Sequence, residues 1–236
     1  MDTSYWTQLN PTVKISKTKK LFFEKYAYKV KLYVPGVGVL RYSTSKSIVE
    51  KLDLLIQRSN DFYGSSYYFG VAVKSNLKFS DAKQLEEIKN FIQNNKDIKN
   101  RIEEPYISFY SNDIEALKIP AQISKERIEE VFLPFSDGDL TNLLQGNIIV
   151  NDANNYKYKM ILNNVFKKEI IPTLKNIFIN SDIDNETKKK ISRHLKDGYY
   201  PGGYIYTSEM HLAFLLNLAY PNMVKKIYNV VHSENK

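Results

Sequence analysis

Apolar and polar residues alternate along residues 26–34, and this pattern predicts a β-strand. The residues on the apolar side are Tyr26, Tyr28, Val30, Leu32 and Val34. The residues on the other side are Lys29, Lys31 and Tyr33. Because successive side chains of a strand point to opposite faces of its sheet, the first set is expected to be buried and the second set to meet solvent.

Helical spacing of apolar residues and clusters of turn-forming residues predict most of the remaining elements. The predicted helices cover residues 47–59, 80–94, 112–119, 124–132, 165–179, 185–196 and 208–218. Further strands are predicted over residues 67–73, 106–110, 148–150, 156–162 and 204–207. Pro120 is expected to break a helix. Residues 39–42 and 148–150 are expected to form hairpins with the strands nearest to them in sequence.

Two pairs of segments resemble each other within the chain. Residues 26–32 and 156–162 share one order of aromatic, basic and aliphatic types. Residues 110–132 match residues 206–228 without a gap, at a constant offset of 96. Apolar positions match while charges invert, as expected of two copies that retain buried positions. Since repeats decide architecture, the match predicts an internal duplication, with chance similarity as the alternative.

The order of the elements predicts a mixed α/β or α+β fold built from two related strand-helix-strand-helix units. We expect each unit to be ferredoxin-like. The predicted divisions are an N-terminal arm over residues 1–20, a first unit over 21–133, a linker over 134–139 and a shorter second unit over 140–236. The linker is predicted from its turn-forming residues, Pro-Phe-Ser-Asp-Gly-Asp.

The distribution of charge points toward a polyanionic ligand. The chain has 236 residues and a formal net charge of +8. Residues 1–60 contribute +7, residues 61–140 contribute −4 and residues 141–236 contribute +5. Clustered Lys and Arg raise the local potential and gain affinity for nucleic acid by releasing counterions. A solvated basic surface is the alternative, because 29 Lys against 5 Arg and 22 Asn are also typical of an AT-rich genome.

Composition excludes several mechanisms and locations. The chain has no Cys, which removes disulfides, thiolate catalysis and Cys-ligated zinc. No apolar run approaches the roughly 20 residues of a membrane span, and the first residues do not begin a signal peptide. We therefore expect a soluble protein of the cytoplasm, or of the host cytoplasm or virion if it is viral. Neither of the two glycine-rich phosphate-binding patterns, GxxxxGK(S/T) and GxGxxG, occurs in the sequence, so nucleotide hydrolysis is not expected.

Candidate catalytic residues are few. The chain has three histidines, none with a partner at ligand spacing: His194, His211 and His232. Asp137 and Asp139 could share a divalent ion from a loop, although a turn explains them equally well. Glu87 and Lys89 have the spacing of a nuclease motif that requires a strand, but they fall in a predicted helix. We expect no enzymatic activity, no metal and no cofactor, with a metal-dependent nuclease as the enzymatic alternative.

The sequence therefore favours a non-enzymatic protein that binds single-stranded nucleic acid. It would be an accessory factor in replication or transcription of a phage or other AT-rich genetic element. In this hypothesis, lysines contact the phosphate backbone of the nucleic acid and a tyrosine stacks on a base. The predicted contacts are Lys14, Lys17, Lys19, Lys20, Lys29, Lys31 and Tyr33, with a second group at Lys188, Lys189, Lys190 and Arg193.

The competing hypothesis is a structural or assembly protein, such as a virion component or a scaffold. Its Tyr-rich faces and the arm that carries Trp6 would bind other protein chains, because Tyr and Trp are enriched at such interfaces. The oligomeric state separates the two hypotheses.

Overall fold

The chain forms two compact units, residues Met1–Asp137 and Gly138–Lys236. The computed structural model describes residues 3–42, 66–68, 71–73, 79–134, 136–150, 156–165 and 167–232. The helix predicted over residues 47–59 lies outside these ranges. The boundary between the units falls inside the segment predicted as a linker, residues 134–139, and a helix begins there at Asp137.

The first unit contains three α-helices and seven strands within its described residues. Its helices are α1 (Ser4–Leu9), α2 (Phe79–Asn94) and α3 (Ile114–Ile123). Its strands are β1 (Lys14–Lys17), β2 (Tyr28–Tyr33), β3 (Ser66–Tyr68), β4 (Val71–Val73), β5 (Lys99–Glu103), β6 (Tyr106–Ser111) and β7 (Ile128–Leu133). Two 3₁₀ helices complete it, Val37–Tyr42 and Lys125–Arg127.

Five of these strands form the main sheet, in the order β1-β7-β2-β6-β5. Strand β2 is antiparallel to both of its neighbours, and β1 is parallel to β7. Helix α3 packs on β2 and β6, and α2 packs on α3. The apolar side of β2 is therefore buried together with Phe109 of β6 and Leu117 of α3.

The second unit contains four α-helices and a four-stranded sheet within its described residues. Its helices are α4 (Asp137–Leu144), α5 (Ile171–Asn180), α6 (Asn185–Lys196) and α7 (His211–Ala219). Its strands are β8 (Ile148–Val150), β9 (Tyr158–Leu162), β10 (Gly203–Thr207) and β11 (Val224–His232), in the order β10-β9-β11-β8. A 3₁₀ helix, Lys168–Ile170, precedes α5. The core joins Met160 and Ile205 of the sheet to Leu174, Ile191 and Leu216 of α5, α6 and α7.

Four strands of the first sheet and all four of the second share one topology. The order β6-β2-β7-β1 corresponds to β10-β9-β11-β8, with the same parallel and antiparallel pairings. Each sheet thus contains a split strand-helix-strand motif, in which a helix connects two strands that flank a third. This motif is shared with ferredoxin-like folds. The full ferredoxin-like assignment stays a prediction.

The register of the two sheets also agrees. Tyr28 pairs with Ser111 in the first sheet, and Tyr158 pairs with Thr207 in the second. These positions differ by 130 and by 96, which are the offsets of the two sequence matches. The turn after each of these strands agrees too. The Ser111 hydroxyl accepts a hydrogen bond from the Asp113 backbone N–H at 2.9 Å, and the Thr207 hydroxyl accepts one from the Glu209 N–H at 3.0 Å.

Each sheet also has one β-bulge at the same position. In β7 the pairing passes from Glu130 to Ile128 opposite β2, so Glu129 is the extra residue. In β11 it passes from Lys226 to Val224 opposite β9, so Lys225 is the extra residue. A bulge places two residues of one strand opposite one residue of its partner. The sequence offset of 96 relates both extra residues.

The helix predicted over residues 124–132 is wrong, because strand β7 occupies most of this segment. Ile128 and Val131 are both buried, and their spacing of three resembles helical spacing. In a regular strand, residues three apart lie on opposite faces. Ile128 and Val131 lie on the same face because the bulge inserts one extra residue between them.

Three other expectations differ from the fold. Pro120 does not end α3 but lies inside it and is buried, so packing of the ring offsets the missing backbone hydrogen bond. Strands β8 and β9 do not form a hairpin, since β11 lies between them. Residues 37–42 form a 3₁₀ helix rather than a returning strand.

Residues 3–20, which were expected to form an arm, contribute α1 and β1 to the first unit. Strand β1 pairs with β7 along its whole length. Trp6 is buried, with 1% of its surface exposed. The Asn10 side-chain amide donates a hydrogen bond to the Ile128 carbonyl at 2.9 Å. The Trp6 indole is therefore part of the core of the first unit.

Candidate nucleic-acid interface

One face of the first sheet carries the binding residues predicted from β2. The apolar residues of β2 are buried against the helices, whereas Lys29 and Lys31 are partly exposed and Tyr33 is 37% exposed. Residues that pair in register lie on the same face of a sheet. We call the face that carries Lys29 and Lys31 the first lysine face.

Register places two rows of side chains across the first lysine face. The first row, from β5 to β1, contains Lys99, Tyr110, Lys29, Phe132 and Ser16. The second row, in the same direction, contains Arg101, Ser108, Lys31, Glu130 and Lys14. Cations and aromatic rings therefore alternate along the first row, in which Tyr110 is buried, whereas the second row contains no ring.

Lys99 and Arg101 belong to the face but were not predicted as contacts, because β5 was not recognised as a strand. The signal is present in the sequence: Lys99, Arg101 and Glu103 are exposed and alternate with the less exposed Asn100 and Ile102. This alternation is short and mostly polar, and for that reason it resembles a loop.

The ammonium groups of the face lie against aromatic rings. Nζ of Lys29 is 4.8 Å from the centre of the Phe132 ring, and Nζ of Lys31 is 4.0 Å from that of Tyr106. Tyr33 meets Tyr106 edge to face at 5.8 Å. Burial lowers the pKa of the Lys29 ammonium. These contacts hold the lysine side chains along the sheet, since a ring face attracts a cation.

Two carboxylates reduce the positive charge of the first lysine face. Glu130 lies 3.3 Å from Nζ of Lys14 and accepts a hydrogen bond from the Ser16 hydroxyl at 2.7 Å. Glu103 forms an exposed ion pair with Arg101 at 2.6 Å. The exposed Arg101–Glu103 pair is worth about 0–1 kcal/mol, so Arg101 can exchange Glu103 for a phosphate. The Glu130 side chain is only 18% exposed, so its pair with Lys14 is not a surface pair of this kind.

The remaining lysines predicted for the first group lie elsewhere. Lys17 pairs with Leu133 in the β1–β7 register, which places it on the face opposite to Lys14. Lys19 and Lys20 follow the end of β1 and are exposed. The structure thus brings together Lys14, Lys29, Lys31 and Tyr33, and it separates Lys17 from them.

The second predicted group lies on α6. Asp184 caps the start of this helix, its carboxylate accepting a hydrogen bond from the Thr187 backbone N–H at 2.7 Å. Ile191 and Leu195 anchor one side of the helix in the core. The opposite side of α6 is therefore left to polar and charged residues.

An open depression of about 470 Å³ runs along α6. Its lining contains four cations and two neutral polar residues, namely Asn185, Lys188, Lys189, Ser192, Arg193 and Lys196. Lys188 also donates a hydrogen bond to the Ile179 carbonyl at 3.0 Å. Lys190 does not line the depression and instead forms an ion pair with Glu186 at 2.7 Å.

The candidate catalytic residues do not converge within the described part of the chain. Asp137 and Asp139 lie in the first turn of α4. Glu87 and Lys89 lie in helix α2, as the sequence predicts. The ring of His194 is 6.0 Å from that of Tyr199. Among the described residues, no group of three or more His, Cys, Asp or Glu side chains could hold a metal ion.

None of the helices in the described ranges is both long enough and apolar enough to cross a membrane. Comparisons of the chain with protein-family models, with curated proteins and with solved structures gave no significant match.

Proposed function

We propose that this protein binds single-stranded nucleic acid without enzymatic activity, and that the first lysine face is its principal binding surface. The observation that carries the proposal is the alternation of cations with aromatic rings along the first row of that face. Proteins that bind single strands combine a basic surface that follows the backbone with rings on which bases stack.

Each type of side chain has a separate role in this mechanism. Lys29 and Lys31 of β2 and Lys99 and Arg101 of β5 contact phosphates, and each contact releases condensed counterions. Tyr33 supplies an exposed ring, with 37% of its surface accessible. Phe23 supplies a second one, 51% exposed, because its ring lies over the face, edge to face with Tyr110 at 4.9 Å and 5.8 Å from Nζ of Lys99. A stacked base contributes about 1 to 3 kcal/mol whatever its identity, so binding depends weakly on sequence.

The depression along α6 is the second contact in this proposal. Lys189, Arg193 and Lys196 are exposed there and form no ion pair within the described part of the chain. Lys190 is not included, since it does not line the depression. A strand that reaches this helix would gain electrostatic affinity that falls steeply with salt.

The biological role that fits these properties is an accessory factor in replication or transcription of a phage or other AT-rich genetic element. The supporting feature is the excess of Lys over Arg, 29 against 5.

Fluorescence titration of labelled single-stranded oligonucleotides, at a series of salt concentrations, tests the proposal. We expect Lys31→Glu and Tyr33→Ala to weaken binding, and Lys31→Glu to reduce the salt dependence as well. Lys83→Glu is the matched control, because Lys83 is an exposed residue of α2 on the helical side of the sheet. Wild-type protein that fails to bind any single strand at low salt would refute the proposal. So would equal losses from Lys31→Glu and Lys83→Glu.

For the contact on α6, we expect Lys189→Glu combined with Arg193→Glu to weaken binding further. Unchanged affinity in this double variant would remove α6 from the mechanism and leave the first lysine face as the site. Incubation of labelled DNA and RNA with magnesium or manganese tests the nuclease alternative, and we expect no cleavage.

An assembly protein is the second candidate, and the apolar surface of α7 favours it. Phe214 is 69% exposed, Leu218 is 72% exposed and Met210 is 49% exposed, at a spacing of four residues. Exposed apolar stripes of this kind mark protein interfaces. Light scattering after size exclusion tests this candidate. Discrete oligomers that Phe214→Lys dissociates, without affinity for oligonucleotides, would favour assembly.

We also propose that the two units arose by internal duplication. The support comes from three independent agreements: the offsets of the sequence matches, the strand register and the position of the bulge. Duplicated units that evolve apart retain the residues that set register and burial. An experimental structure in which the two bulges fall at different positions would contradict this origin.

A further inference from the structure

The second sheet repeats the arrangement of Lys29 in the first. Lys159 pairs with Tyr206 on one side and with Tyr228 on the other. Lys29 lies in the same way between Tyr110 and Phe132. A lysine between two aromatic residues thus recurs at corresponding positions of both sheets. We call the face of the second sheet that carries Lys159 the second lysine face.

The rings of the second lysine face are close to its ammonium groups. Nζ of Lys159 is 4.1 Å from the centre of the Tyr204 ring and 5.2 Å from that of Tyr206. Nζ of Lys226 is 4.9 Å from the centre of the Tyr228 ring. Tyr204 is 57% exposed, more than any other tyrosine among the described residues. Its ring is therefore accessible to a ligand that stacks.

The turn before β10 contributes to the placement of Tyr204. Gly202 has a φ of +79°, and a Cβ atom there would lie 2.9 Å from the Leu162 carbonyl oxygen. Only glycine adopts this conformation readily and permits so close an approach. Strand β10 can therefore begin next to the end of β9, which brings Tyr204 beside Lys159.

The charge of this face differs from that of the first. Strands β8, β9, β10 and β11 contain Lys159, Lys225 and Lys226 but no Asp or Glu. The first lysine face, in contrast, carries Glu103 and Glu130. The strands of the second lysine face thus contribute positive charge and no negative charge, which suits a polyanionic ligand.

We propose that the second lysine face is a further binding site for single-stranded nucleic acid, with Tyr204 as the stacking residue and Lys159 and Lys226 as phosphate contacts. The inference rests on the proposed function and extends it to a second surface. The contacts are of the same type in both units, and every nucleotide offers the ring and the phosphate that they require.

Titration of a fluorescent oligothymidylate at low salt tests the site in the full chain. We expect Tyr204→Ala to weaken binding about tenfold, since one lost stack of about 1.4 kcal/mol corresponds to that factor. We expect Lys226→Glu to weaken binding and to reduce its salt dependence. Ile179→Ala is the matched control, an exposed apolar residue of the same unit on α5, and its affinity should equal that of the wild type.

The outcomes distinguish the two proposals. If the wild type binds and Tyr204→Ala binds equally well, the second site is refuted while the proposed function stands. If the wild type does not bind, both proposals fall. A change of oligomeric state in Tyr204→Ala at unaltered oligonucleotide affinity would instead make this face a protein interface, and would also overturn the inference.

Discussion

Arg127 and Asp81 form an ion pair that joins helix α2 to the start of strand β7. Nη1 of Arg127 lies 2.6 Å from Oδ1 of Asp81, whose side chain is 4% exposed. The same guanidinium donates a hydrogen bond to the Gln84 side-chain oxygen at 3.0 Å. A buried carboxylate requires such a partner, because an uncompensated charge in the protein interior is strongly unfavourable.

Replacement of Arg127 by alanine should therefore destabilise the first unit. We expect Arg127→Ala to lower the free energy of unfolding by about 3 kcal/mol, near the low end for broken buried pairs because the Arg127 side chain is partly exposed. Urea denaturation followed by circular dichroism measures the change. Arg101→Ala removes an exposed pair and should cost at most about 1 kcal/mol. Similar losses in the two variants would contradict the assignment of Asp81 as a buried charge.

Alkaline pH should destabilise the second unit through Tyr200. Burial raises the pKa of the Tyr200 hydroxyl from 10.0 to about 12. Between these values the unfolded chain has lost a proton that the folded chain retains, so stability falls as pH rises through this window. Two pKa units correspond to about 3 kcal/mol. Tyr200→Phe should remove this part of the alkaline loss, whereas Tyr199→Phe, at an exposed neighbouring residue, should retain it. Denaturation curves at several alkaline pH values measure the difference.

Binding of nucleic acid should also weaken at alkaline pH, because Lys29 loses its charge at a lower pH than an ordinary lysine does. Burial lowers the pKa of the Lys29 ammonium below its ordinary value of 10.5. As pH rises toward that value, Lys29 becomes neutral before an ordinary lysine does. Lys29→Arg should retain affinity at higher pH, because a guanidinium stays protonated. Titrations of oligonucleotide at a series of pH values provide the comparison. Identical pH profiles for wild type and variant would exclude a contribution from the Lys29 charge.

Loss of the Asp184 cap should destabilise α6. We expect Asp184→Ala to lower the free energy of unfolding by about 1 kcal/mol, since the Thr187 backbone N–H then lacks its acceptor. Asp184→Asn retains a side-chain oxygen and should be close to neutral. Thermal unfolding of the two variants checks the ranking, and the reverse order would argue against capping by this residue.

Sequence patterns predicted those elements whose periodicity is regular. Strand β2 and helix α6 were predicted from alternation and from helical spacing, and the α+β class followed from the order of the elements. Strand β7 was missed because its bulge gives Ile128 and Val131 helical spacing. Strand β5 was missed because few of its residues are apolar.

Sequence patterns could predict only those residues of a candidate site that lie together on one strand or helix. Lys29, Lys31 and Tyr33 share a face because they alternate along one strand. The neighbours that complete this face, Lys99 and Arg101, come from another strand, and sequence alone does not reveal the pairing. The second lysine face was not predicted for the same reason, since three separate strands contribute its residues.

The extra residue in each bulge bends its strand but does not decide which neighbouring side chains are buried. Deletion of Glu129 or Lys225 would leave the remaining residues opposite their present partners and on their present faces, and it would remove the local bend and the added twist. Homologous chains that lack either residue should therefore retain the same buried positions in a straighter strand. Length variation should concentrate between residues 33 and 109, where the first unit has 34 more positions than the second.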